Sequence, residues 1–190
     1  YLGRERNFDD GTIFWMMSAA AISMSVGTVV AGALGDARFQ HSPRGRLQVC
    51  LVGVVVGAIL LAVTLGLPLD SSPILFGLLL TATAFFTLFS GPNIVATLYD
   101  ITVPEVRSTA LAVQYFVENI GAAGAPLLVG VFSTAVGLSS AILLISVGTL
   151  AVCGGFLALA VILVPRDIEA LRHEMTVRAA EFAGQGDLPA

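Results

Sequence analysis

Lysine is missing from this chain of 190 residues; all nine basic residues are arginine. Charged residues of any kind reach only 12% and form no basic run or patch, which speaks against nucleic acid as a partner. Cysteine occurs twice, as Cys50 and Cys153, too far apart to match a metal-ligand spacing, and both read as small apolar fillers. The two histidines, His41 and His173, lie outside the apolar runs, so no Ser–His–Asp set or H-E-x-x-H pair can assemble within them. A glycine-rich phosphate loop is absent as well. No pattern asks for a metal or a cofactor, and the chain is not expected to be an enzyme.

What fills the chain instead is apolar sequence. Hydrophobic residues make up 56%, and the mean hydropathy is +0.92, far above a water-soluble domain. A bilayer's hydrocarbon core, roughly 30 Å thick, is crossed by about 20 apolar residues in a helix. Five such spans are read at residues 11–34, 47–67, 74–99, 108–136 and 140–164, preceded by a lead segment at 1–10 and followed by a tail at 165–190. The expected fold is all-α, a polytopic membrane protein of five transmembrane helices. The chain opens on Tyr1 without a signal peptide, and it is expected to be part of something longer.

Arginine placement predicts orientation. The loop after the first span carries Arg38, Arg44 and Arg46, the loop after the third carries Arg107, and the tail carries Arg166, Arg172 and Arg178. The opposite side has only Arg4 and Arg6. Seven against two places the C-terminus in the cytoplasm of a multi-pass protein of the cell (inner or plasma) membrane, in contact with membrane lipid.

The spans carry packing devices. Ser18, Ala21, Ser25, Thr28 and Gly32 form a stripe of small residues on the first helix, Gly53 and Gly57 do the same on the second, and Gly121 and Ala125 on the fourth. Pro92 and Pro126 interrupt two helices, breaks that a membrane helix tolerates and that often border a cavity. Phe85 and Phe89, with Phe86, stand beside Asn93; the aromatics either face lipid or, with Asn93 and Tyr115, line an amphipathic cavity. In the tail, Ile168, Leu171, Met175 and Phe182 share one helical face, which reads as a short separate helix lying on the cytoplasmic membrane surface, with the chain frayed from Gly184.

Glu118 is the one ionisable side chain deep inside a span, about ten residues or 15 Å from the start of the fourth helix. A carboxylate at that depth costs several kcal/mol unless it is protonated, hydrated or paired. Gln114, Glu118, Gly121 and Ala125 share a face, so Glu118 is expected to point into the bundle or a water-filled cavity, with a raised pKa. It is either a proton-coupling or cation-binding group or an inert protonated acid bonded to a neighbouring helix. Adjacent Asn119 is its candidate partner or a substrate contact.

The loops bring a resemblance. Residues 32–38, Gly-Ala-Leu-Gly-Asp-Ala-Arg, followed by Pro43-Arg44-Gly45-Arg46, resemble the G-x-x-x-D-R-x-G-R-R loop of the major facilitator superfamily, in the degenerate form more typical of its helix 8–9 loop. The arginine expected directly after Asp36 is displaced to Arg38, and the loop is longer. Val103-Pro-Glu105-Val-Arg107-Ser-Thr-Ala resembles the helix 10–11 loop, and Gly121-Ala-Ala-Gly124-Ala-Pro126 with Gly130 resembles a glycine-rich, proline-kinked helix 11. His41-Ser-Pro-Arg44 taken with Arg107-Ser-Thr-Ala110 is most similar to the spinster-like branch.

The resemblance implies helices 8–12 of a transporter whose helices 1–7 are missing, and a half bundle that rocks against its partner half. It implies that Asp36 caps a helix of the other half, and that Arg38 and Arg107, among the loop residues Arg44, Arg46, Asp100 and Glu105, join a cytoplasmic charge network that gates transport. It implies proton-coupled export or exchange of a small organic, amphipathic or lipid-like solute. The alternative is a non-transporting membrane scaffold or assembly subunit with the same packing.

Overall fold

The computed structural model of the chain describes residues 1–185, with side chains placed through residue 180. The described residues form an all-helical membrane bundle: α1 Asp10–Phe39, α2 Gly45–Gly66, α3 Pro73–Thr87, α4 Ser90–Ile101, α5 Arg107–Val136 and α6 Leu138–Gln185, with a 3₁₀ turn at Pro104–Val106. α3 and α4 together make one span, so five stretches are long and apolar enough to cross a bilayer.

Local chemistry sets the ends of these helices. Asp9 caps α1, its Oδ2 accepting from the Thr12 amide at 2.9 Å and its Oδ1 from the Thr12 hydroxyl at 2.6 Å. α1 then runs past the expected end at Leu34 and carries Asp36 and Arg38 on its last turns. The third span breaks at Leu88 and Phe89 rather than at Pro92 itself. Proline has no N–H for the carbonyl four residues back, and its ring crowds that carbonyl, so the fault falls on Leu88. Pro126 lies inside α5, which continues through it. The tail is not a separate surface helix: α6 continues without a break past Pro165 to Gln185. Ile168 is buried, and Leu171 borders a groove against Ile101 at the end of α4 and Val103 of the α4–α5 loop, so part of the apolar tail face is taken up by protein. The helix includes Gly184 and Gln185, and the remainder of the stretch read as frayed lies outside the described residues.

α3 packs between α1 and α2, α2 backs onto α6, and α5 leans chiefly on α6. The α2–α6 core gathers Leu47, Cys50, Val54 and Leu157, with Cys153 against it, so the two cysteines lie in one apolar cluster. On α1 the buried small residues are Ala20, Gly27, Ala31 and Gly35, one face round from the expected stripe. The Ser25 and Thr28 hydroxyls donate to their own helix, to the carbonyls of Ala21 and Met24, and need no neighbouring helix. On α2, Gly53 and Gly57 are buried, and Gly53 is where Phe89 of the α3–α4 break enters; a methyl group there would overlap the Phe89 side chain. Phe85, Phe86 and Phe89 form one aromatic cluster with centroids 5.1–5.4 Å apart. α5 differs from the rest: none of its residues is buried, and Gly121, Gly124 and Gly130 have no described neighbour close enough to be packing contacts.

The two sets of connections lie at opposite ends of the bundle. At one end the lead segment meets the α2–α3 loop through Arg6, which is 4% exposed. Arg6 Nη2 donates to the Leu67 carbonyl at 2.8 Å, Nη1 to the Pro68 carbonyl at 3.1 Å and the Ser71 hydroxyl at 3.0 Å, and Nε to the Tyr1 hydroxyl at 3.0 Å. Its guanidinium lies 4.3 Å from the Phe76 ring centre, and it sits at the C-terminus of α2, where the helix dipole favours a cation. Glu5 accepts from Ser139 at 2.7 Å and so draws in the α5–α6 turn. The other end holds the α1–α2 turn, the α4–α5 loop and the extension of α6.

Candidate functional site

A cleft of about 500 Å³ opens between α1, α4 and α5. α1 contributes Thr28, which lies on the stripe of small residues that α1 leaves unburied. The α3–α4 break contributes Leu88, and α4 adds Gly91, Pro92 and Val95. α5 contributes Gln114, Tyr115 and Glu118. The break and the cleft share a cause, because Pro92 both interrupts the third span and forms part of the wall.

Gln114 and Glu118 are one helical turn apart and bond directly, Gln114 Nε2 donating to Glu118 Oε1 at 3.0 Å. The amide must present its nitrogen to the carboxylate, since its oxygen would be repelled there. Gln114 Oε1 is thereby turned away and is buried with no hydrogen-bond partner among the described residues. Glu118 is exposed in this five-helix arrangement, contrary to the expectation of a buried acid, because α5 is peripheral to the described bundle. Asn119 is not its partner; its Nδ2 donates back to the Tyr115 carbonyl at 2.6 Å.

Three candidate lining residues sit elsewhere. Asn93 is 1% exposed and donates to the Ala31 carbonyl of α1 and to the Phe89 carbonyl, so it clamps two helices instead of facing a cavity. Phe89 is buried against Gly53, and Phe85 belongs to the same aromatic cluster. An asparagine and a run of phenylalanines carry the same sequence signal whether they line a cavity or seal an interface, and only the register of α4 against α1 and α2 separates the two. Of the four candidates, Tyr115 alone lines the cleft.

At the loop end the charge network is built on Arg46. Its Nη2 and Nε meet Asp36 Oδ1 at 2.8 and 3.2 Å, its Nη1 meets Asp100 at the end of α4, and its guanidinium stacks 4.1 Å from the Phe39 ring centre. Asp36 is therefore engaged within this bundle instead of being left for another half. Arg38, placed in the network by resemblance, is exposed and makes no ion pair among the described residues; it projects from the last turn of α1, whereas Arg46 opens α2 between the two aspartates. Arg44 is exposed too. Arg107 holds its own loop, donating to the Tyr99 carbonyl at 3.0 Å and the Thr102 carbonyl at 3.4 Å. Glu105 pairs with Arg178 of the α6 extension at 3.6 Å, and Arg178 also meets Glu174 at 2.6 Å. Sequence reading missed Arg6 as a buried contact; an arginine in a polar lead segment gives no sign of where its acceptors lie. Among the described residues no group of His, Cys, Asp and Glu gathers to hold a metal.

No curated protein and no solved structure matches the chain. A family model described as Major Facilitator Superfamily matches residues 1–181.

Proposed function

The chain belongs to the Major Facilitator Superfamily, and from that membership we propose that it supplies helices 8–12 of a secondary transporter whose other helices complete the cavity. Members of this family are multi-pass membrane transporters of small molecules, and the match does not favour the scaffold alternative. The finer reading is a proton-linked exporter or exchanger of an organic, amphipathic solute, of the spinster-like kind, with its C-terminus in the cytoplasm of the cell membrane. The loop motifs and the arginine asymmetry support it.

One observation carries the reading. Glu118, Gln114 and Tyr115 of α5 face Thr28 of α1 and the Pro92 break across a single cleft. An acid at membrane depth is costly, and such residues commonly border a substrate or ion pathway. Half a transporter presents its share of a central cavity as an open surface, which accounts for the exposure of Glu118 and for α5 having no buried residue. A proton on Glu118 and a solute in the cleft then compete for the same wall, which couples the two during alternating access. The Asp36–Arg46–Asp100 network closes the loop end of the bundle and stabilises one conformation of it.

The test is Glu118→Gln in the intact protein. Solutes whose cellular level changes on expression of the wild type are identified by comparing extracts, and their transport is then followed in vesicles under an imposed pH gradient. The variant is expected to express and fold normally and to lose transport or its coupling to the gradient. Wild-type transport with wild-type pH dependence removes Glu118 from the mechanism.

A further inference from the structure

We propose that the groove between the end of α1 and the start of α2 binds an anionic phospholipid of the leaflet at the loop end. Leu34, Ala37 and Arg38 line it from α1, His41 and Ser42 from the turn, and Gln48 from α2. The groove is separate from the α1–α4–α5 cleft. Ala37 follows Thr28 by nine residues, about two and a half turns, so the two lie on opposite sides of α1.

The side chains leading from the groove toward the middle of the bilayer form a surface suited to lipid. On α1, Val26, Val30 and Leu34 follow one another at one-turn spacing, with Val26 and Leu34 exposed and Val30 half-buried. On α2, Val52, Val55 and Ile59 continue the face of Gln48, and all three are exposed. Faces where membrane helices pack are rich in small residues. The buried face of α1, with Ala20, Gly27, Ala31 and Gly35, is of that kind, whereas these two ridges are built of large branched side chains. Acyl chains lying on the ridges bring a headgroup to the groove.

The groove is cationic. Arg38 has five N–H donors, and its side chain makes no ion pair or hydrogen bond among the described residues. Arg44, in the same turn, is a second exposed arginine. Ser42 Oγ accepts from the Arg44 amide at 3.3 Å and keeps its own proton to donate. No carboxylate lines the groove, and Asp36 is held by Arg46 on another face of α1. The negative end of α1 is already satisfied: the Asp36, Ala37 and Arg38 carbonyls accept from the Gln40 amide, the His41 ring, and the His41 and Ser42 amides. A phosphodiester supplies acceptors in the geometry that an arginine fork meets best. A zwitterionic head also brings an ammonium, for which this groove has no counter-charge; an anionic head does not. Basic pockets between helices on the cytoplasmic side, where the arginine asymmetry places this one, bind such heads.

The experiment places the intact protein in phosphatidylcholine nanodiscs and titrates in phosphatidylglycerol, phosphatidylethanolamine, or glycerol phosphate free in the buffer. Binding is read as a saturable rise in the thermal unfolding midpoint. Phosphatidylglycerol is expected to give one, and the other two are not. Arg38→Gln should raise the phosphatidylglycerol fraction needed for half the effect by about fivefold or more. Gln48→Leu, which leaves every charge in place, should raise it by less and serves if the first variant does not fold. Arg172→Gln removes an equally exposed arginine from the α6 extension, outside the groove, and should leave the titration unchanged. Equal responses to phosphatidylglycerol and phosphatidylethanolamine, or no response to either, overturn the proposal. So does a response that Arg38→Gln and Gln48→Leu both leave intact, or one that Arg172→Gln weakens as much as Arg38→Gln, which would be general surface charge. A full response to glycerol phosphate alone would make the groove a site for a free phosphate and remove the lipid.

Discussion

Asn93 of α4 donates its Nδ2 to the Ala31 carbonyl of α1 at 2.9 Å and to the Phe89 carbonyl of the α3–α4 break at 3.0 Å, while its Oδ1 lies where a side chain on Gly35 would have to go. Close approach of two membrane helices and a polar clamp between them are thus a single arrangement. Removing either half of it should be felt by the other.

Asn93→Ala is expected to destabilise the bundle by about 1 kcal/mol, the usual scale of an interhelical hydrogen bond in a membrane. Gly35→Ala should cost more, about 1–3 kcal/mol, because its methyl group collides with the Asn93 amide. The double variant should cost clearly less than the sum, since Asn93→Ala makes room for the methyl. Reversible unfolding in mixed micelles measures all three; strict additivity would show that the two residues do not share one space.

Arg46 predicts an unequal pair of aspartates. The Asp100 side chain is 23% exposed and that of Asp36 is 65% exposed. Asp100→Asn should therefore destabilise by about 1–3 kcal/mol and Asp36→Asn by less than about 1 kcal/mol. Arg46→Lys keeps the charge but loses the fork that reaches both carboxylates, and it should resemble Asp100→Asn. Thermal unfolding at low and high salt tests this, with the Asp36 contribution expected to vanish first as salt rises.

Arg6 is the strongest prediction in the lead segment. Arg6→Met should cost about 1–3 kcal/mol by stranding the Leu67 and Pro68 carbonyls at the end of α2, despite preserving much of the contact with Phe76. Limited proteolysis should then cut within residues 1–9 faster than in the wild type. An unchanged cleavage rate would mean that the lead segment is held by other contacts.

Asp9 gives the pH dependence. The Thr12 hydroxyl first, and then the Thr12 amide, hold its carboxyl below the usual carboxylate range. A group whose pKa is lowered on folding contributes stability above its unfolded-state pKa and loses that contribution as pH falls through the folded-state value. Hydrogen exchange in the first turn of α1 should accelerate on strong acidification in the wild type. In Asp9→Asn, which caps without titrating, it should not. Equal acid sensitivity in the two proteins would assign the effect to another group.

The apolar runs made the all-helical membrane bundle readable, because spans of this length have few alternatives in a bilayer. The exact faces were harder to read. On α1 two stripes of small residues compete, and the serine- and threonine-bearing stripe looks like the packing face until its hydroxyls are seen bonding to their own helix. Pro92 signalled a break, but the fault lies four residues earlier, at the carbonyl that proline leaves without a donor. At the site, the turn spacing of Gln114 and Glu118 was visible in the sequence, while Asn93 and Phe89 depended on interhelical register that no local pattern encodes. Arg46 and Arg38 are eight positions apart and equally charged; which one meets Asp36 and Asp100 was decided by where α1 stops, at Phe39 and not at Leu34.

The 48 residues of α6 form a rod of about 72 Å at 1.5 Å per residue. Only about 30 Å of that length is needed to cross the hydrocarbon core. The remainder is a pointer fixed to the bundle, steadied near its base by Ile168 and further out by the Arg178–Glu105 pair. A lever of this kind magnifies angle into displacement, so a tilt too small to change any contact inside the bilayer becomes a movement of several ångströms toward Gln185. A spectroscopic label on the exposed face of the extension, at Thr176 for example, would act as a gauge needle for the motion of the whole bundle.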